Sequence, residues 1–250
     1  MSNFDFEVEA TLITVPNPKS TEVRLFMNLI PLLAARGIRL AVNEISPNTR
    51  VVLANSIQSA AITWDVQVRL PKLNVICYNW DLYPWTSKKF NFELYGRVLE
   101  RAKNIWCPSS DVILRTEEIF KQGSKCKLIK SYAEYFDADP KHVRRGDFVY
   151  HPLRPYEDPQ FGWSEKAAVE LGIKFVRGNH KLTQAEYRAA ICECNFLVTE
   201  YVEASTGGLS LLEGYRLGKD VLVCDSKFMG AQDYFGELAT YFREGDFSDF

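Results

Sequence analysis

Residues Thr199–Ser226 read TEYVEASTGGLSLLEGYRLGKDVLVCDS. This stretch carries two glutamates, Glu203 and Glu213, on either side of Ser205-Thr206-Gly207-Gly208. The apolar run Asn195–Val198 stands before it, and Val221–Cys224 within it is strand-like. The order reads as strand, acidic loop, glycine-rich helix start, helix, strand. Such a loop brings backbone N–H groups and a carboxylate to the carboxyl end of a buried strand. Open α/β sheets bind nucleotides and phosphates there.

Upstream, the same alternation continues. Asp147–His151 reads as a strand, Ser164–Leu171 as a helix, Ile173–Val176 as a strand and Thr183–Cys192 as a helix. On the last of these, Tyr187, Ala190, Ile191 and Cys194 share one face. Before Asp147 the rhythm breaks. Ser131–Gly146 is polar, with Asp137, Asp139, Pro140 and Arg144-Arg145, and reads as a linker. The first half alternates again. Ala10–Val15 is a strand broken by Pro16-Asn17-Pro18. Ser20 or Thr21 caps a helix that runs to about Arg36 and stops at Gly37. Ile38–Ile45, Arg50–Ala54, Asn74–Tyr78, Asn104–Cys107 and Lys125–Ile129 read as strands. Phe90–Ala102 and Ser109–Lys121 read as helices, the second capped by Ser109 or Ser110.

Two consecutive α/β domains follow, residues 1–138 and 139–250. Right-handed crossovers between parallel strands give each a parallel sheet with helices on both faces. The cleft between two such domains is the expected ligand site.

Composition excludes several classes. The chain has 250 residues, is 46% hydrophobic and 25% charged, and carries a net charge of −2. That balance suits a globular protein with a core, not a nucleic-acid binder or a polybasic membrane patch. No apolar run approaches the roughly 18–20 residues that span a bilayer. The acidic N-terminus MSNFDFEVEA lacks the order of a signal peptide. The six cysteines mostly fall in apolar runs, which points to reduced thiols and a cytoplasmic protein. Composition leaves peripheral membrane contact and oligomeric state open. Cys192-x-Cys194 has the wrong spacing for a zinc knuckle, and Asp137-x-Asp139 sits in the linker, so no metal site is assigned.

Each candidate residue has a plainer reading beside the functional one. Glu203 is either a solvated loop acid or a carboxylate that supports positive charge at a reacting carbon. Thr206-Gly207-Gly208-Leu209 is either a packing turn or a helix N-terminus that receives an anion. The helix dipole there contributes roughly 0.3–1 kcal/mol, too little to hold a diphosphate alone. Glu213, one turn into the helix beside Leu211 and Leu212, either pairs with Arg216 at i+3 or accepts from ribose hydroxyls. Arg154, after the strand ending at His151, is either a surface arginine or a bidentate phosphate ligand.

The second half resembles the retaining glycosyltransferases of family 4, which have the B-type fold of two Rossmann-like domains. The match lies in E203-ASTGGLSL-L212-E213-GYRLG-KDVLVCDS, in the preceding FVRGNHKLTQAEYRAAICECNFLVTE, and in the tail LATYFREGD. The first half is similar more loosely, through VPNPKSTEVRLFMNLIPLLAARG, VICYNWDLYPW and NIWCPSSDVILRT. About 200 residues align in order with the family pattern.

The resemblance implies transfer of a sugar from a nucleoside diphosphate sugar to a glycan or other acceptor, with no cofactor beyond the donor substrate. It implies that Glu213 holds the donor ribose and that Gly207, Gly208 and Leu209 offer backbone N–H groups to sugar and diphosphate, at the helix start with Thr206. Glu203 would face the anomeric centre, Arg154 the phosphates, and the loop Gly178–Lys181, with His180, the base. Trp80 and Asp81 stand where the family often has His-Asp on the acceptor side. Nine residues separate the two glutamates against seven in the family, so Ser205 falls at the first-Glu position by strict count. Pro159 stands where a lysine is usual. A non-catalytic nucleotide- or glycan-binding module and a sugar-nucleotide epimerase of the same fold are the competing readings.

Overall fold

A computed structural model describes residues 8–14, 29–55, 57–79, 91–130, 143, 145–152, 162–178, 182–199, 209–225 and 231–243. The chain divides into two compact units, Met1–Ser131 and Tyr132–Phe250.

The first unit holds strands β1 (Val8–Ile13), β2 (Ile38–Val42), β3 (Thr49–Asn55), β4 (Asn74–Tyr78), β5 (Asn104–Cys107) and β6 (Cys126–Leu128). They form one sheet in the order β2-β1-β3-β4-β5-β6, every pair parallel. The backbone is helical over 29–34 (α1), and α2 (Ala60–Arg69), α3 (Phe92–Arg101) and α4 (Ser110–Phe120) follow. Local chemistry explains the boundaries. Asn91 Oδ1 accepts from the Leu94 amide at 2.9 Å and starts α3, and Ser109 caps α4. On α3, Tyr95, Val98 and Leu99 are buried at the i, i+3, i+4 spacing of a core-facing stripe. Leu12, Val52, Ile105 and Cys107 fill the sheet side of that core.

Helix α2 has no counterpart in the sequence reading, which places no element between Ala54 and Asn74. Its buried side chains are Ala60, Thr63, Val66 and Gln67, two of them polar. Its apolar Ile62 and Val68 face outward. The inward polar groups find partners instead of an oily surface. Thr63 Oγ1 donates to Ser59 O at 2.9 Å, and Gln67 Nε2 donates to Val98 O at 3.0 Å. Hydrophobic periodicity therefore cannot announce this helix.

The second unit runs β7 (Phe148–His151), α5 (Trp163–Glu170), β8 (Lys174–Arg177), α6 (Gln184–Glu193), β9 (Phe196–Thr199), α7 (Leu209–Arg216), β10 (Asp220–Asp225), α8 (Ala231–Phe235) and β11 (Thr240–Arg243). Strand β11 extends the sheet beyond the strands read from sequence. The order is β11-β10-β9-β7-β8, again all parallel. Val149, Tyr150, Leu197, Val198 and Val223 are fully buried, as expected for strands covered on both faces. Chain direction across the sheet reverses between β7 and β9. Doubly wound sheets place their ligands outside the carboxyl ends of the strands at such a switch point.

Candidate functional site

Four described side chains gather at the carboxyl end of the second sheet: Tyr150 of β7, Tyr187 of α6, and Ser210 and Glu213 of α7. Glu213 is 5% exposed. A buried carboxylate without partners costs several kcal/mol, so its surroundings carry information. The Tyr187 hydroxyl donates to Glu213 Oε2 at 2.5 Å, the short distance of a charge-assisted bond. Ser210, one turn earlier on α7, hydrogen-bonds the same phenol. Burial pushes the Tyr187 phenol well above its ordinary range, and the Glu213 charge and bond push it further the same way. Tyr187 therefore stays a donor at neutral pH.

Two local devices set this pair in place. Thr183 begins α6 with a capping box: its Oγ1 accepts from the Glu186 amide at 3.2 Å, and Glu186 Oε2 accepts from the Thr183 amide at 2.7 Å. The Thr183 amide first, and then its hydroxyl donating to the same Oε2 at 2.8 Å, hold the Glu186 carboxyl below its usual value. The box fixes the first turn of α6, and Tyr187 follows at the next position. Farther along the same face, Ile191 and Cys194 are fully buried. On α7, Gly214 lies against Leu197 of β9, which brings the helix close to the strand. Gly218, at φ +71°, ends that helix in the left-handed region, with the Lys219 amide donating to Gly214 O at 3.1 Å.

Tyr150 completes the cluster. Its hydroxyl is buried and has no hydrogen-bond partner among the described residues. Burial, and secondarily Cys194, push its phenol up to about 12. Gly178, just after β8, is buried beside it. A Cβ there would come 2.7 Å from Pro152 O and 3.0 Å from the Tyr150 hydroxyl, so only glycine fits. The Gly178 amide donates to His151 O at 2.7 Å, tying the ends of β8 and β7 together.

Of the residues singled out from sequence, Glu213, Leu209 and Gly178 are described. Leu209 is the first residue of α7. Gly178 and Glu213 belong to one neighbourhood, linked through Tyr150 and Tyr187. Glu203, Thr206, Gly207, Gly208, Arg154, His180, Trp80 and Asp81 lie outside the described residues, as do Ser205 and Pro159. Asn79, which precedes Trp80, is buried at the end of β4. It donates to Thr116 Oγ1 at 2.6 Å and accepts from the Tyr95 hydroxyl at 3.1 Å. The sequence points to no role for Tyr150, and for Tyr187 it indicates only a core-facing position. The one available signal was a phenol, not an aliphatic side chain, at each of two inward positions.

No protein-family model matches the chain, and no curated protein matches it in sequence. Solved structures do match. Sucrose-phosphate synthase from Thermosynechococcus elongatus superposes with a TM-score of 0.72 at 11% identity, over 97% of this chain and 87% of that one. Anabaena HepE in complex with UDP and glucose gives 0.66 at 12% identity, with the same coverage of 97% and 87%. The lipopolysaccharide outer core galactosyltransferase WaaB, in its apo form, gives 0.64 at 11% identity over 96% and 87%. At such identities the likeness establishes the fold. The chain has the α/β fold of B-type glycosyltransferases, built from two Rossmann-like units. Among the described residues no helix is long and apolar enough to cross a membrane.

Proposed function

We propose that the chain is a glycosyltransferase of the hexosyl-transferring type, moving a sugar from a nucleoside diphosphate sugar to a glycan or other acceptor with retention. The observation that carries this reading is the buried Glu213, held by a phenol at the switch point of a doubly wound sheet. An ionised carboxylate only accepts hydrogen bonds, and the hydroxyls of a donor ribose are suitable donors. The fold shared with HepE, crystallised with UDP and glucose, supports the same donor class.

In the proposed mechanism, the backbone amides from Thr206 to Leu209 and the α7 dipole meet the diphosphate, with the Arg154 guanidinium as their partner. Gly178 and His180 border the base. Glu203 faces the transferred sugar and supports its oxocarbenium-like character. Trp80 and Asp81 serve the acceptor. No metal ion is given a role, since positioning and fixed charges carry the reaction. The chain is assigned to the cytoplasm, where nucleotide sugars are met by a reduced, six-cysteine protein.

The test is calorimetry with UDP, ADP and GDP on wild type and Glu213→Ala. At least one diphosphate binds the wild type, and the folded variant loses that binding. Wild type that binds none of them, or a variant that binds equally, overturns the reading. A non-catalytic module is favoured by Trp80-Asp81 and Pro159, which replace a histidine and a lysine of the family pattern. Transfer or hydrolysis of a donor sugar by the purified protein rejects it.

A further inference from the structure

Tyr187 could fill its place on the inner face of α6 as phenylalanine, without burying a hydroxyl. The hydroxyl it has is spent on Glu213. Three side chains stand in series, and their chemistry fixes the direction of every bond. Glu213 accepts at Oε2 from the Tyr187 hydroxyl at 2.5 Å. A phenol has one proton to give, so the bond from Ser210 runs toward the phenol oxygen. Ser210 donates to Tyr187, and Tyr187 donates to Glu213. The two donors come from α6 and from the first turn of α7.

We propose that Tyr187 is a positioning residue for nucleotide recognition, holding Glu213 in the orientation that selects a ribose with vicinal hydroxyls. This rests on the assignment of Glu213 to the donor ribose. A carboxylate only accepts hydrogen bonds, and it suits a group that brings two protons at fixed spacing, as a vicinal diol does. Its charge repels phosphate, which keeps the diphosphate at the amide end of α7. A glutamate held in advance also spares the ligand the cost of ordering it.

The experiment is calorimetry at neutral pH with whichever of UDP, ADP and GDP binds the wild type, and with its 2′,3′-dideoxy counterpart. Tyr187→Phe weakens the ribonucleotide about tenfold, as for a lost bond to a charged group, and changes the dideoxynucleotide by less than about twofold. In the Glu213→Gln background the same substitution adds no further selective loss. A merely structural role weakens both ligands alike, and that result overturns the proposal. Equal ribonucleotide affinity in Tyr187→Phe and wild type also overturns it, while leaving the donor-binding reading intact. Wild type that binds none of the three diphosphates removes both readings together. If Tyr187→Phe does not fold, Ser210→Ala is read instead: selective weakening of the ribonucleotide supports the series, and unchanged affinity overturns it.

Discussion

Gly214 of α7 sits directly on Leu197 of β9: a methyl group on Gly214 would come 2.4 Å from the Leu197 Cδ1 and 3.1 Å from its Cδ2. Leu197 is fully buried, so it has no open space to retreat into. Gly214→Ala therefore tests a conflict of two effects. Helix propensity favours alanine by about 1 kcal/mol, while overpacking a filled core costs about 1–3 kcal/mol. The clash wins, and the net loss is about 1 kcal/mol, read as a lower denaturant midpoint. A stabilised variant would mean that α7 can lift from β9 freely. Because Glu213 precedes Gly214, its proposed role has the lifted helix also weaken diphosphate binding in the same protein.

The capping box of α6 predicts a second outcome. Thr183→Ala removes the side chain that receives the Glu186 amide, at a cost of about 0.5–2 kcal/mol. Glu186 is exposed and loses the Thr183 hydroxyl that donates to its Oε2 at 2.8 Å but keeps the amide of residue 183, so its carboxyl returns only part of the way toward the ordinary value. Thr183→Ser keeps the cap and retains most of the stability. Urea denaturation of both variants distinguishes a cap from a bystander, since a bystander would leave the two alike.

The buried phenols set an alkaline limit. Burial pushes the Tyr150 phenol up to about 12 in the folded chain, against an ordinary value near 10, and displaces Tyr187 in the same direction. Groups whose folded value is raised contribute stability that is complete below the unfolded value. That stability is lost as pH rises through the folded one. Between about pH 10 and 12 the unfolded chain gives up these protons first, at up to about 1.4 kcal/mol per pH unit and group. Tyr150→Phe flattens this part of the stability–pH curve. Parallel curves for wild type and variant above pH 10 would contradict the assigned burial of the Tyr150 hydroxyl.

Much of the fold is legible in the sequence because parallel strands covered on both faces read as short aliphatic runs. Val51–Ala54 of β3 and Phe196–Val198 of β9 are of this kind. Helix α2 is not legible, because Thr63 and Gln67 turn inward while Ile62 and Val68 turn outward. The site divides in the same way. Glu213 stands out in sequence through its glycine-rich setting. Tyr187 does not, because its partner lies 26 residues away and reaches it only when α6 and α7 pack beside each other on the sheet. Tyr150 is hidden for the same reason: Gly178, which lies against its hydroxyl, follows a different strand. Contacts of this kind follow from strand order, which periodicity does not encode.

The catalytic assignment rests on Glu203, and the two-residue excess between the glutamates makes Ser205 its rival. The two can be separated by charge. A residue that supports an oxocarbenium-like centre acts through its negative charge, so Glu203→Gln removes that effect while preserving size. Oxyanion-type electrostatic contributions of this sort are worth about 10²–10³ in rate. The proposed mechanism gives donor binding to Glu213 and the α7 amides, so it has the Gln variant keep its affinity for the nucleoside diphosphate. Ser205→Ala, by contrast, changes transfer by less than about tenfold if the serine only lines the loop, the usual scale for one neutral hydrogen bond. Single-turnover transfer and calorimetry on both variants decide between them. Full turnover by Glu203→Gln moves the catalytic role away from Glu203, and a large loss in Ser205→Ala moves it to the position that the family spacing indicates.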